Sequence, residues 1–132
     1  MLYNSTMEAM DMGKLSETAV ENHKRFYTCS GAVLCAFAAE AGMTEGEARQ
    51  ISAPFAGGRM GKCGAVLAVE RVLTEKFGAE RAEALIFQLE AAFMAKNKSV
   101  LCGELRGRRL RPCRGCVQDS AELLESLLAE QG

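Results

Sequence analysis

The chain has no tryptophan and a single histidine in 132 residues, and aromatics make up only 6% of it. Few aromatics alongside much Ala, Glu, Leu and Arg disfavours sheet and favours helix. No excess of one charge is present. Lys and Arg total 16 against 17 Asp and Glu, a formal net charge of -1, so no global field drives binding to nucleic acid or to an anionic membrane. Long hydrophobic runs are missing too. The longest, AVLCAFAA at 32–39, is far short of the roughly 20 apolar residues that span a bilayer. The opening MLYNSTMEAM has no basic stretch followed by an apolar one, so no secretory signal is visible and the cytoplasm is the expected compartment.

What is present is a chain of ordinary globular composition, 48% hydrophobic and 25% charged, with a length that fits one domain. The periodicity predicts an all-α protein, a compact bundle of five or six helices. Residues 1–14 are read as a tail or helix extension and 15–132 as the helical domain. Leu15, Ala19, Val20 and His23 mark a first amphipathic helix. GAVLCAFAAEAG (31–42) is apolar on most sides, which predicts a central second helix stopped by Gly42. Thr44 and Glu47 have capping-box spacing and open a short third helix. A fourth is expected from about Cys63 to Phe77 and a fifth over 79–96, with Leu85, Ile86, Leu89 and Phe93 on one stripe. A short turn begins at Cys102, an arginine-rich connector follows, and Asp119 with Glu122 is read as the start of the last helix. Short connections predict antiparallel neighbours in a bundle.

The stretch GGRMGKCGAV (57–66) carries the first functional question. A phosphate loop needs Gly, four residues, Gly-Lys and then Ser or Thr, after a strand. Here the frame is AGGRMGKC (56–63): Ala56 replaces the first glycine, Cys63 replaces the hydroxyl, and no strand precedes it. The thiol reading fits better. The glycines form a turn that delivers Cys63 to a helix N-terminus, where free N–H groups, the helix dipole and neighbouring Lys62 favour a thiolate. The alternative on this stretch alone is a packing turn with an inert cysteine, and the two readings weigh about equally.

Six cysteines in a chain of expected cytoplasmic location point away from a structural disulfide framework and towards metal binding, redox chemistry or core filling. Cys29, Cys102 and the pair Cys113 and Cys116 also fall at or just before predicted helix starts, whereas Cys35 falls inside one. The CRGC pair has the spacing of a redox CxxC or of half a zinc site, but no βαβ pattern surrounds it and no second CxxC follows. The long intervals Cys29 to Cys63 and Cys63 to Cys102 require any site to be assembled by the tertiary fold. RGRRLRPCR (106–114) holds five arginines without aromatics for base stacking, so a solvated loop is preferred. Its charges would otherwise stabilise an anionic thiolate site or dock an acidic redox partner. His23 is read as a packed or surface histidine and the seven methionines as core filler or tail.

The ordered segments CSGAVLCAF (29–37), GGRMGKCGAVLA (57–68), LCGELRG (101–107) and CRGCVQDSAELLE (113–125) resemble the C_GCAxxG_C_C family of redox-active proteins, over about residues 15 to 128. The resemblance implies a small helical domain whose cysteines serve redox or metal chemistry. It places the family cysteines on Cys29, Cys63, Cys102 and Cys113. Cys116 is an extra thiol at a commonly apolar position and a substitute for the fourth. Cys35 falls where a plain core residue is usual, and Ala68 stands where the family has a second glycine. The implied cofactor is an iron–sulfur cluster, [2Fe–2S] with four thiolate ligands, and zinc is the alternative metal. A cofactor-free thiol–disulfide protein, a structural zinc module and a helical interaction module remain as rivals. A redox partner protein or a small thiol or disulfide is the expected partner, a homodimer is left open, and neither membrane nor nucleic acid is expected. No enzymatic turnover is assigned.

Overall fold

A computed structural model describes residues 14–131. Of the tail or helix extension assigned to residues 1–14, residues 1–13 lie outside the described residues, and Lys14 belongs to the first helix. Helix α1 covers 14–24 of the described chain. It is followed by α2 (Cys29–Ala36), α3 (Glu45–Ser52), a 3₁₀ segment (Ala53–Gly58), α4 (Gly64–Phe77), α5 (Ala79–Asn97), α6 (Cys102–Gly107) and α7 (Cys113–Gln131). The all-α, single-domain expectation holds, with seven helices among the described residues rather than five or six. The described residues contain no β-strand, only one isolated antiparallel bridge, Lys62 with Leu101. No helix among them is long and apolar enough to cross a membrane.

Local chemistry explains most of the boundaries. Thr28 opens α2 by accepting a hydrogen bond from the Gly31 N–H. Thr44 and Glu47 form the expected reciprocal capping box on α3, with Thr44 accepting from the Glu47 N–H and Glu47 accepting from the Thr44 N–H. Lys98, in a left-handed conformation, terminates α5. Helix α2 departs from expectation. It ends at Ala36, and Phe37–Gly42 continue as turns in which Ala38 N–H bonds three residues back to Cys35 O (3.4 Å). Apolar periodicity persists through that segment, but a continuous ladder of four-residue helical bonds does not.

The core forms around α4, which packs against α2, α5 and α7. Ala65, Val66, Val69, Val72 and Leu73 of α4 are fully buried. They meet Leu85, Leu89 and Phe93 of α5 and Val117, Ala121, Leu124 and Leu128 of α7, each set at helical spacing. Val33, Leu34 and Phe37 fill the space from the α2 side.

The last helix begins six residues earlier than its sequence suggests. It starts at Cys113, directly after Pro112, whose carbonyl accepts the Cys116 N–H (3.1 Å). Asp119 is therefore not a cap. Its carboxylate is buried (residue 2% exposed) and receives Lys96 Nζ (3.0 Å), Asn97 Nδ2 (3.1 Å), Arg111 Nε (3.1 Å) and Arg111 NH2 (3.2 Å). Burial opposes its ionisation, but these donors outweigh it and hold the carboxyl below the usual range. This cluster ties the end of α5 and the arginine connector to the first two turns of α7, and so fixes where Cys113 and Cys116 stand.

Replacing Asp119 with Ala strands buried Asn97 and leaves Arg111 without its acceptor. A loss of about 2–4 kcal/mol is expected in urea denaturation, since one partner of a buried charge network is removed. Because the folded-state pKa is depressed, the carboxylate's contribution is present above the unfolded value, about 3.9. It should be lost as pH falls through the lower folded value. A wild-type-like midpoint in the variant would contradict this role.

Candidate functional site

Each of the four cysteines singled out by the resemblance starts a helix. Cys29, Cys102 and Cys113 are the first residues of α2, α6 and α7, and Cys63 is the N-cap of α4. Cys116 sits one turn into α7. The first turn of a helix leaves N–H groups without intrahelical acceptors and carries positive partial charge, which suits anionic sulfur. All six cysteines are free thiols.

Two backbone contacts join the long sequence intervals. Around the Lys62–Leu101 bridge, Cys63 N–H donates to Val100 O (2.7 Å) and Cys102 N–H donates to Gly61 O (3.0 Å). The central glycine turn is thereby pinned to the start of α6. Gly58, at φ +74, faces Cys102 so closely that a Cβ there would lie 3.0 Å from the cysteine Cβ and 3.1 Å from its Sγ. Gly64 performs the same service for Cys29: an added Cβ would come within 2.7 Å of Cys29 Sγ and 2.9 Å of Phe55 O. The glycines of GGRMGKCG admit sulfur as well as turn the chain. Ala68, in place of the family's second glycine, is fully buried in α4 and is accommodated in the core.

The thiols interact as two pairs. Cys29 is lowered to about 6, foremost because the Cys113 thiol donates to its thiolate; the backbone N–H groups of Gly57, Ser30 and Ala65 add to this, and burial opposes it. Cys113 is raised correspondingly, by its bond to Cys29, by desolvation and by the charges of Cys29, Cys63 and Cys102. Cys63 is lowered by Cys116 and by the N–H groups of Val66 and Ala65, while burial and the Cys29 charge resist. Cys116 is raised by Cys63, by burial and by the charges of Cys63, Cys113 and Asp119. In each pair one thiol is shifted down and its partner up. The Cys29–Cys113 pair is the outer one, with Cys113 exposed and Cys29 half-buried. The Cys63–Cys116 pair is buried. Cys102 is half-buried beside them.

The cysteine-based family model described as "Putative redox-active protein (C_GCAxxG_C_C)" matches residues 27–127. The chain belongs to this family. No curated protein and no solved structure matches it. The family pattern thus has a structural counterpart in this C_GCAxxG_C_C protein. Its four cysteines start four helices, and its glycines lie against sulfur.

Other expectations resolve differently. Lys62 does not set the Cys63 thiol. Its ammonium is bound by Glu70 (3.4 Å) and by Glu90, and burial together with Glu90 pushes Glu70 up to about 8. That acid–base cluster gave no signal in the sequence, because Lys62, Glu70 and Glu90 come together only when α5 packs on α4. Cys35 stands apart near the end of α2, its Sγ 3.8 Å from Glu45 O and its thiol raised by burial. His23, on α1, is lowered by partial burial and by the Arg114 charge. The arginine connector is exposed as expected at Arg106, Arg108, Arg109 and Arg114, but Arg111 turns inward to Asp119. Among the described residues no group of three or more His, Cys, Asp and Glu side chains is arranged to hold a metal ion.

Replacing Gly64 with Ala should displace the Cys29 sulfur from its amide donors. Alkylation of Cys29 by iodoacetamide near pH 7 is expected to slow about three- to tenfold as the thiolate fraction drops. Gly103→Ala, where an added Cβ meets nothing within 4 Å, is the matched control and should leave the rate unchanged. Equal rates in both variants would overturn the role given to Gly64.

Proposed function

We propose that the protein is a dithiol–disulfide redox carrier whose working pair is Cys29 and Cys113. The observation behind this reading is the opposed tuning of two adjoining thiols, one held as a thiolate near neutral pH and the other held protonated, at the solvent-facing edge of the sulfur group. Thiol–disulfide exchange needs a thiolate to attack and a low-pKa thiol to leave, and Cys29 meets both needs. In the oxidising direction a disulfide RSSR accepts two electrons. Cys29 thiolate, the Cys113 thiol and one further proton give a Cys29–Cys113 bond and two RSH. The reducing direction is the reverse. The buried Cys63–Cys116 pair is a second dithiol of the same design, screened from direct attack.

A second reading is favoured by Cys102. Dithiol chemistry in two pairs leaves this thiol without a task, although Gly58 makes room for it and its charge acts on Cys113. Four-sulfur ligation by Cys29, Cys63, Cys102 and Cys113, with Cys116 as a substitute, would employ it in an iron–sulfur cluster or a zinc site. The donor chemistry suits such a group, although among the described residues no group of three or more His, Cys, Asp and Glu side chains is arranged to hold a metal ion. The dithiol reading uses the sulfurs where they stand and is the one adopted.

Oxidation of the reduced protein in graded buffers of 2-mercaptoethanol and its disulfide, followed by peptide mapping, tests the proposal. The expected product links the Cys29 and Cys113 peptides with loss of two hydrogens, and Cys113→Ser should trap Cys29 as a mixed disulfide instead. Thiols that stay reduced throughout would contradict it. Anaerobic purification with iron, acid-labile sulfide and zinc assays decides the second reading: stoichiometric metal bound by the four sulfurs would displace the dithiol account.

A further inference from the structure

An open cleft of ≈ 310 Å³ adjoins the outer thiol pair, lined by Leu105, Arg106, Arg109, Arg111, Pro112 and Cys113. Its volume lies at the low end of small-molecule sites, roughly 300–1,000 Å³, and suits a short thiol compound better than a folded partner. Leu105 and Pro112 supply an apolar wall. Three guanidinium-bearing residues surround the one exposed thiol of the working pair.

The arginines are not equivalent. Arg111 is bound to Asp119 by two hydrogen bonds, so its charge is compensated. Arg106 and Arg109 are exposed, and neither has a carboxylate partner among the described residues. Arg109 also holds a left-handed backbone conformation, φ +54, that a non-glycine residue adopts at a cost. It occurs in the turn closing α6, where Arg109 N–H donates to Arg106 O (3.2 Å) and Leu110 N–H to Leu105 O (2.9 Å). That turn places both arginines on the rim of the cleft that contains Cys113. Planar guanidinium groups with free donors pair with carboxylates in two-point contacts.

We infer that this cleft binds a low-molecular-weight thiol or disulfide bearing carboxylates, with Arg106 and Arg109 holding the carboxylates and the ligand sulfur set against the Cys29–Cys113 pair. The inference rests on the dithiol reading and names its small-molecule partner. In the reducing direction the ligand thiolate RS⁻ attacks Cys29 Sγ in the Cys29–Cys113 disulfide. The S–S bond breaks, and its electron pair leaves on Cys113, which takes up a proton. A second RS⁻ then attacks the ligand sulfur of the Cys29 mixed disulfide, Cys29 departs as the thiolate, and RSSR is released. The dithiol gains two electrons and two thiols lose them.

Two measurements on the full chain test this, with Arg106→Gln/Arg109→Gln as the variant and Arg108→Gln, an exposed arginine outside the cleft lining, as the control. The first compares oxidation of the reduced protein by glutathione disulfide (anionic), bis(2-hydroxyethyl) disulfide (neutral) and cystamine (cationic), each normalised to its rate with free cysteine. The anionic reagent should be favoured about tenfold over the neutral one, as two exposed charge contacts allow. That preference should vanish in the double variant and persist in Arg108→Gln. The second follows amide NMR shifts with S-methylglutathione, which carries the carboxylates but cannot exchange. Saturable shifts are expected at Gly107, Arg109 and Cys113 in the wild type and not in the double variant. Exchange without charge preference and without S-methylglutathione binding overturns the cleft assignment and leaves the dithiol reading standing; a carrier of that kind would take a protein partner. Binding of S-methylglutathione without exchange by any reagent keeps the anion cleft and overturns the dithiol reading together with the exchange step at Cys29.

Discussion

Two thiolates cannot sit side by side in a partly buried site at low cost, and this constraint organises the molecule. Removing water strengthens their repulsion, so adjoining sulfurs divide their protons unequally. Cys29 and Cys63 are shifted down, towards the thiolate, and Cys113 and Cys116 are shifted up. The helix starts supply the N–H groups that stabilise the two thiolate forms. The glycine turn lets the chain and the sulfurs approach closely, and the Asp119 cluster sets the height of α7 so that its two cysteines meet their partners. In this chain the tuning of the thiols thus depends on where the helices begin more than on any single residue.

Charge is arranged in layers around the sulfurs. Asp119, itself compensated by Lys96, Asn97 and Arg111, faces the inner pair and helps keep Cys116 protonated. Arg106 and Arg109, without a carboxylate partner among the described residues, lie at the outer pair. Gly115 makes the link between these layers possible: Arg111 passes directly over it, and any side chain there would collide with the guanidinium stem. The sequence GCVQD after Pro112 therefore encodes a crossing point, with glycine below the arginine, cysteine facing Cys63, and aspartate receiving the guanidinium one turn later.

Helix content, the Thr44 capping box, the α5 stripe and the helix-start positions of Cys29, Cys63 and Cys102 were legible because each depends on local spacing. The α2 end at Ala36 was not, since the apolar pattern runs on while the hydrogen bonding tightens into turns. The start of α7 was missed because Asp119 with Glu122 has a capping spacing, and only the fold shows that this carboxylate is buried against α5. Lys62 was read as a cation for Cys63 from adjacency, but Glu70 and Glu90, eight and 28 residues away, bind it first. The pairing of Cys29 with Cys113 and Cys63 with Cys116 joins residues far apart in the chain, and no spacing rule reveals it. Cys116, an extra thiol by the family pattern, lies beside Cys63, which raises it.

The central claim is that Cys113 makes Cys29 a thiolate. A ¹³Cβ-cysteine NMR titration of the reduced protein, compared with Cys113→Ala, tests it most directly. The account predicts a Cys29 midpoint near 6 in the wild type, moving up towards the ordinary thiol value of about 8.5 in the variant. A Cys29 midpoint that is the same in both proteins would contradict it.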